Sequence, residues 1–185
     1  MGLTPPPETE AVVRRVIHTT ADFDYAKNLR FTPGAVQKAV EALHKGAFIV
    51  TDTNMALAGI TKPGLAKLGG QAACYMADPE VAARAKAGGT TRAVAAMHKA
   101  AAEHPGAILA IGNAPTALLT IAEQIEAGLR PALVIGVPVG FVNVVESKER
   151  IIEAAAAPYI VSRGRKGGSN VAAAICNAML YQIRR

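Results

Sequence analysis

The chain has 185 residues, 51% of them hydrophobic, and a formal charge of +6, which fits one globular domain and excludes a disordered protein. No apolar run is long enough to cross a bilayer, and residues 1–10 are Pro-rich and acidic, unlike a signal peptide. The two cysteines, Cys74 and Cys176, form no CxxC unit, so neither a disulfide framework nor a zinc site is indicated. We therefore expect a cytoplasmic protein with one domain over residues 1–185 and a flexible N-terminus at 1–10.

The positive charge indicates an anionic partner. Nucleic acid fits poorly, because the basic residues are mostly scattered, the chain has no Trp, and only 4% of its residues are aromatic and able to stack on bases. A small polyanion, such as a phosphate or a polycarboxylate, fits better. A basic surface that only aids solubility is an equally good explanation of the charge alone.

Helical patterns and short apolar runs alternate along the chain. Thr32 before Pro33 and Asp78 before Pro79 fit helix starts, and Ser169 fits the N-cap of a last helix. The predicted helices cover residues 8–17, 32–45, a segment opening at 78, 91–103, 116–127, 147–156 and 169–183; the predicted strands cover 47–51, 72–76, 107–111, 132–136 and 159–161.

Strands that alternate with helices of this length require right-handed crossover connections between parallel strands. The predicted fold class is therefore α/β, a single domain with a roughly five-stranded, mainly parallel sheet and helices on both faces. We find no internal repeat, low-complexity tract or domain linker.

Four loops follow the carboxyl ends of predicted strands, where open parallel sheets bind their ligands. These loops, at residues 51–55, 112–116, 136–141 and 164–169, are rich in Gly, Pro and small polar residues. Such residues also serve ordinary turns, but four loops in sequence favour a ligand crevice. The chain has neither a GxxxxGK[ST] loop nor a GxGxxG after a strand, which disfavours a nucleotide, although the loop at 165–169 could still hold a phosphate.

His18 differs from the other three histidines because it ends an amphipathic helical pattern. One interpretation is structural, since a cationic imidazole is favourable at a helix C-terminus. The functional interpretation is a proton donor, because imidazole exchanges protons near neutral pH. No second His or Cys lies at ligand spacing from it, so no protein-bound metal is predicted.

Seven segments together resemble the precorrin-8X methylmutases, also known as cobalt-precorrin-8 methylmutases, of cobalamin biosynthesis. They are 15–18 (RVIH), 49–55 (IVTDTNM), 89–92 (GTTR), 112–117 (GNAPTA), 138–141 (PVGF), 146–148 (ESK) and 164–168 (GRKGG). The resemblance implies an isomerase that moves a methyl group from C11 to C12 of a reduced tetrapyrrole. It also implies a homodimer with each pocket near the subunit interface, and a reaction that needs no cofactor.

The resemblance implies that His18 is the catalytic acid and that Arg15 and Arg92 bind carboxylates of the macrocycle. Further candidates for contact with the tetrapyrrole polycarboxylate are Thr91, Asp52, Met55, Asn113, Gly140, Gly164, Gly167 and Gly168. The sequence departs from the family in having only about eleven residues before the stretch that starts at Val12, and in having Ala93 where Ser is usual. Two alternatives stay open: a corrinoid-binding relative without turnover, and an unrelated α/β enzyme that binds a phosphorylated metabolite.

Overall fold

The computed structural model describes residues 4–154 and 156–183. In this part of the chain, six strands form one sheet in the order β1-β6-β5-β4-β2-β3, and only β1 is antiparallel to its neighbour. The strands are β1 (Leu29–Phe31), β2 (Ile49–Thr51), β3 (Ala72–Cys74), β4 (Ile108–Ile111), β5 (Leu133–Gly136) and β6 (Tyr159–Ser162).

Helices cover both faces of the sheet, as predicted. They are α1 (Pro7–Thr20), α2 (Tyr25–Asn28), α3 (Ala35–His44), α4 (Asn54–Gly59), α5 (Lys62–Ala66), α6 (Pro79–Ala87), α7 (Arg92–Glu103), α8 (Pro115–Glu126), α9 (Val144–Ala154) and α10 (Ser169–Gln182), with a short 3-10 helix at Tyr75–Ala77. No helix among residues 4–154 and 156–183 is both long and apolar enough to span a membrane.

Alternate strand residues face two separate hydrophobic cores, as the twofold side-chain period of a strand requires. Ile108 and Ala110 of β4 pack with α1, α3 and α10, whereas Leu109 and Ile111 pack with α6, α7, α8 and α9. Every residue of β2, β4 and β5 is buried, which is typical of parallel strands covered on both faces. The predicted α/β class with helices on both faces is thus confirmed.

The prediction of about five strands missed β1. This edge strand has only three residues, and its pairing with β6 depends on tertiary structure. Thr32 continues the same edge, because its Oγ accepts a hydrogen bond from the Tyr159 N–H at 3.0 Å. The helix predicted from residue 32 therefore begins later, at Ala35 with Gly34 as its N-cap.

Residues 7–10, part of the segment expected to be flexible, form the first turn of α1. Pro7 suits a first helical position because its missing N–H needs no partner there. The carbonyl of Pro6 accepts hydrogen bonds from the N–H groups of Thr9 and Glu10 at 2.9 and 3.0 Å. Thr9 is also buried, so this turn is part of the packed structure.

Candidate active site

The loops after β4, β5 and β6 lie at the carboxyl edge of the sheet, and backbone hydrogen bonds join the loops after β5 and β6. The Gly168 N–H donates to the Val137 carbonyl at 2.8 Å, and the Gly140 N–H donates to the Arg165 carbonyl at 3.2 Å. The loop residues predicted to line a crevice therefore lie at one edge, as the parallel topology requires.

Two glycines at this edge are needed for packing between the loops. A Cβ on Gly167 would overlap the carbonyl oxygen of Val137, and a Cβ on Gly112 would lie 2.8 Å from the carbonyl oxygen of Gly168. Among the described residues beyond its chain neighbours, none comes within 4 Å of the corresponding position on Gly164, whose φ of +80° favours glycine. Gly167 thus has a structural reason to be glycine that is independent of any ligand.

Ser169 is not the N-cap of the last helix. Gly168 occupies that position with a φ of +142°, and no side chain caps the helix. The Ser169 Oγ instead lies 2.7 Å from the Oγ of Thr53, the residue that caps α4 through the Ala56 N–H. This hydrogen bond joins the loop after β2 to the start of α10.

Asp52 is buried and shapes a loop, which differs from the ligand contact expected from the sequence. Its Oδ1 accepts the Gly112 N–H at 2.9 Å, and its Oδ2 accepts the N–H groups of Asn113 and Ala114 at 2.8 and 2.7 Å. Burial raises the pKa of the Asp52 carboxyl, and these backbone hydrogen bonds offset part of that effect. Because Asp52 is only 1% exposed and all three of these hydrogen bonds go to the β4–α8 loop, we assign it the role of holding this loop rather than of contacting a ligand.

Several residues at the carboxyl edge leave apolar surface open to solvent. Met55, at the start of α4, is 71% exposed, and Phe141 and Val142 in the β5–α9 loop are 84% and 77% exposed. Asn113, also a predicted contact residue, is exposed in the neighbouring β4–α8 loop. Contiguous apolar patches mark binding surfaces more often than single exposed side chains do, and Phe141 and Val142 are neighbours in the chain.

His18 and Arg15 lie together in a cleft of about 1000 Å³ between α1 and the end of α10. His18 is exposed in the last turn of α1, and its imidazole forms no hydrogen bond or ion pair within the described residues. The Arg15 guanidinium stacks over the Tyr181 ring, 4.7 Å from its centroid. The cleft is lined by Pro7, Glu10, Ala11, Arg14, Arg15, Ile17, His18, Phe23, Ala178, Tyr181 and Gln182.

Lys166 links the loop after β6 to the turn that follows α1. Its Nζ lies 2.7 Å from Oδ2 of Asp22 and 2.6 Å from Oδ2 of Asp24. Hydrogen bonding to Lys166 lowers the pKa of Asp22. Lys166 is thus engaged within the protein and is not a free cation for a ligand. The contact also brings the end of the helix that bears His18 next to the glycine-rich loop.

Thr91 and Arg92 lie apart from His18, at the start of α7 on the opposite face of the sheet. The Thr91 Oγ accepts the Val94 N–H at 3.2 Å and so caps the helix. Thr91 therefore has a structural role, while the Arg92 side chain is exposed. The described chain does not bring Arg92 and His18 into one cleft.

Within residues 4–154 and 156–183, three arginines have no hydrogen-bond or ion-pair partner for the guanidinium: Arg15, Arg92 and Arg165. The others bind a carboxylate or a backbone carbonyl, as Arg163 does with Glu149 at 2.6 Å. Arg165 was not among the predicted contact residues, although its place in the glycine-rich loop could have indicated it. Its guanidinium lies 5.7 Å from the centroid of the exposed Phe141 ring.

Metal-binding side chains do not cluster in the described residues: no three His, Cys, Asp or Glu side chains lie close enough together to hold an ion. Both described cysteines are free thiols. Burial raises the pKa of the Cys176 thiol to about 12, so this thiol is a poor nucleophile near neutral pH.

Comparison with known proteins gives one family. A family model described as precorrin-8X methylmutase matches residues 3–182. A cobalt-precorrin-8 methylmutase of Salmonella typhimurium is 47% identical over 96% of this chain and 83% of its own length. A precorrin-8X methylmutase of Pseudomonas aeruginosa is 39% identical over 94% of this chain and 84% of its own length. The crystal structure of precorrin-8X methylmutase from Thermus thermophilus is 43% identical and has a TM-score of 0.89, over 98% of this chain and 89% of that one. The chain therefore belongs to the precorrin-8X methylmutase family and is an isomerase.

Proposed function

We propose that this isomerase moves a methyl group from C11 to C12 of precorrin-8X, or of its cobalt form, in cobalamin biosynthesis. The product is hydrogenobyrinic acid or, with cobalt, cobyrinic acid. The observation that best supports this proposal is the cleft in which an unpartnered imidazole, His18, lies beside an arginine that has no carboxylate partner in the described chain, Arg15. A tetrapyrrole polycarboxylate needs a proton donor for its ring nitrogen, which His18 offers, and a partner for a carboxylate, which Arg15 offers.

The reaction needs little covalent chemistry from the protein. The C11–methyl bond breaks as the C12–methyl bond forms in a sigmatropic shift within the conjugated ring, so no nucleophile or group-transfer cofactor is required. His18 donates a proton to a ring nitrogen and thereby favours the tautomer that rearranges. General acid catalysis of this kind contributes about 10²–10⁴-fold in rate.

Peripheral carboxylates of the substrate bind Arg15, Arg92 and Arg165 in this proposal. Their guanidinium groups make no ion pair with any described carboxylate, so a ligand carboxylate displaces no internal partner. The planar fork of arginine binds a carboxylate through two parallel hydrogen bonds. The exposed apolar side chains Met55 and Phe141 offer contact to the face of the macrocycle.

The active form proposed here is a homodimer in the cytoplasm. His18 and Arg92 lie on helices that cover opposite faces of the sheet, so one subunit does not place both beside the same ligand. In the proposed homodimer, the Arg92 of one subunit lies near the His18 of the other. The exposed Phe141 and Val142 offer apolar surface for that contact. Sedimentation of the wild-type protein and of Phe141→Asp tests this: a monomeric wild type at assay concentration would contradict it.

Two measurements test the reaction. Purified protein is first titrated with hydrogenobyrinic acid and with cobyrinic acid while the visible spectrum is recorded, and turnover of precorrin-8X and of cobalt-precorrin-8 is then followed. Binding with turnover supports the proposal, and the preferred substrate shows whether cobalt is present. Binding without turnover supports a corrinoid-binding relative, and no binding contradicts the proposal.

A further inference from the structure

Lys148 is a buried lysine for which the proposed reaction has no direct use. It lies on α9, its side chain is 0% exposed, and it is the largest of the fully buried side chains in the described chain. A charged ammonium in such a place needs strong compensation, because burial removes it from water. Burial lowers the pKa of Lys148 to about 8, and no carboxylate among the described residues opposes that effect.

The compensation comes from the backbone of the β6–α10 loop, residues 163–168. The Lys148 Nζ donates to the carbonyl of Gly164 at 2.7 Å and to the carbonyl of Lys166 at 2.9 Å. The Ser162 Oγ donates to the same Lys166 carbonyl at 3.2 Å. Between them, the Arg165 carbonyl accepts the Gly140 N–H. Three successive carbonyls of the loop are thus bound to other parts of the protein.

The N–H groups of the same loop are in the opposite situation. Within the described chain, the N–H groups of residues 164–167 donate no hydrogen bond. Gly164 has a φ of +80°, and alternation of left-handed and ordinary backbone lets successive N–H groups form an anion-binding concavity. Because Lys148 and Gly140 bind the carbonyl groups of this loop, its backbone N–H groups are the polar backbone groups that remain available to a ligand.

The loop is also coupled to the end of α1. The Lys166 whose carbonyl is held by Lys148 binds Asp22 and Asp24 through its side chain. Asp22 lies four residues after His18. Displacement of the loop would therefore also disturb the turn that follows the proposed catalytic helix.

We propose that Lys148 is a positioning residue that holds the β6–α10 loop with its N–H groups available to a peripheral carboxylate of the substrate. Lys148 does not touch the substrate and acts only through the carbonyls of Gly164 and Lys166. The identity of the carboxylate ligand rests on the proposed function, whereas the effect of Lys148 on the loop does not.

The test replaces Lys148 by methionine, which has a similar length but no donor, and uses Ile151→Ala as a matched control. Ile151 is buried on the same helix and packs in a hydrophobic core, so its truncation lowers stability without removing a hydrogen bond of the β6–α10 loop. We expect Lys148→Met to raise the Kd for hydrogenobyrinic acid about tenfold, since the backbone hydrogen bonds to one carboxylate would be lost. At a comparable loss of Tm, Ile151→Ala keeps the wild-type Kd within about twofold.

A second measurement needs no ligand. Amide hydrogen exchange of Gly140 and Gly168, whose N–H groups bond across the loops, is followed by NMR in the ligand-free proteins. Lys148→Met should speed exchange at both amides by about tenfold or more relative to Ile151→Ala, because the loop is released locally. If Lys148→Met does not fold, Ser162→Ala removes a weaker donor to the same carbonyl and should shift both readouts in the same direction.

The outcomes separate the two proposals. Unchanged exchange at both amides in Lys148→Met overturns the role of Lys148, as does a Kd that rises equally in Lys148→Met and the stability-matched Ile151→Ala. A wild-type protein that fails to bind the tetrapyrrole contradicts the proposed function, and the exchange measurement still decides whether Lys148 holds the loop.

Discussion

Replacing Asp52 by asparagine should destabilise the protein and leave ligand affinity nearly intact. The two Asp52 oxygens accept three backbone N–H groups of the β4–α8 loop at 2.7 to 2.9 Å. Asparagine keeps the shape but has one oxygen, so its amide NH₂ must face at least one backbone N–H. An unpaired buried donor costs about 1–3 kcal/mol, and loss of the charge weakens the remaining hydrogen bonds by about 1 kcal/mol each.

We therefore expect the free energy of unfolding to fall by about 2–4 kcal/mol, since relief from burying a charge offsets part of the loss. For a domain of this size the Tm would decrease by roughly 5–15 °C. Thermal unfolding followed by circular dichroism measures this loss of stability. Glu123→Gln, which changes an exposed carboxylate on α8, serves as the control, and we expect its free energy of unfolding to change by less than about 0.5 kcal/mol. An Asp52→Asn variant with the wild-type Tm and a weakened affinity for hydrogenobyrinic acid would refute our assignment and make Asp52 a ligand contact.

Four further changes test other parts of the site. His18→Ala should reduce turnover by about 10²–10⁴-fold while sparing product binding, and near wild-type turnover would remove His18 from the mechanism. Arg92→Ala should raise the product Kd about tenfold, whereas Arg150→Ala, which loses only an exposed pair with Glu126, should leave it unchanged. If both variants bind the product equally well, Arg92 does not contact the ligand. Gly167→Ala should lower the Tm as well as the affinity, because its Cβ meets the backbone of the neighbouring loop, and a stable variant would show that the loops can separate freely. The folded pKa of Lys148 is about 8 and that of an unfolded lysine is about 10.4, so between these pH values the unfolded chain binds more protons than the folded one. The stability of the wild type should therefore rise relative to that of Lys148→Met as the pH increases from 8 to 10.4, by at most about 3 kcal/mol. Urea unfolding measures this, and a stability difference that does not change with pH would contradict it.

The parallel part of the sheet was predictable because its strands are buried on both faces. The strands β2, β4 and β5 are continuous apolar runs, which differ clearly from the amphipathic helices between them. The strand β1 was not predictable in the same way, since three residues carry little periodicity and the strand exists only through its pairing with β6. The start of α3 was missed for the same reason, because the Thr32 Oγ accepts the Tyr159 N–H and does not cap a helix.

In the site, the sequence indicated which loops meet but not which side chains are free. Asp52 looks like a ligand contact because it follows a strand, yet its carboxylate is used entirely by the neighbouring loop. Lys166 looks like a free cation, yet it binds Asp22 and Asp24, which are distant in sequence. Its neighbour Arg165 forms no ion pair with any described residue, unlike the other two cationic residues of that loop, Arg163 and Lys166. Pairing of charges depends on tertiary contacts, and composition or local pattern does not determine it.

The arginines that lack ion-pair partners have a consequence for how fast a dilute ligand is captured. Arg15, Arg92 and Arg165 form no ion pair with any described carboxylate, on a protein whose formal charge is already +6. A polyanion therefore meets an attractive field before any contact forms, and no internal bond must break on its arrival. Steering of this kind accelerates association and weakens as added salt screens the charges. The association rate constant of this enzyme for its substrate should consequently fall with ionic strength much more steeply than the dissociation rate constant changes.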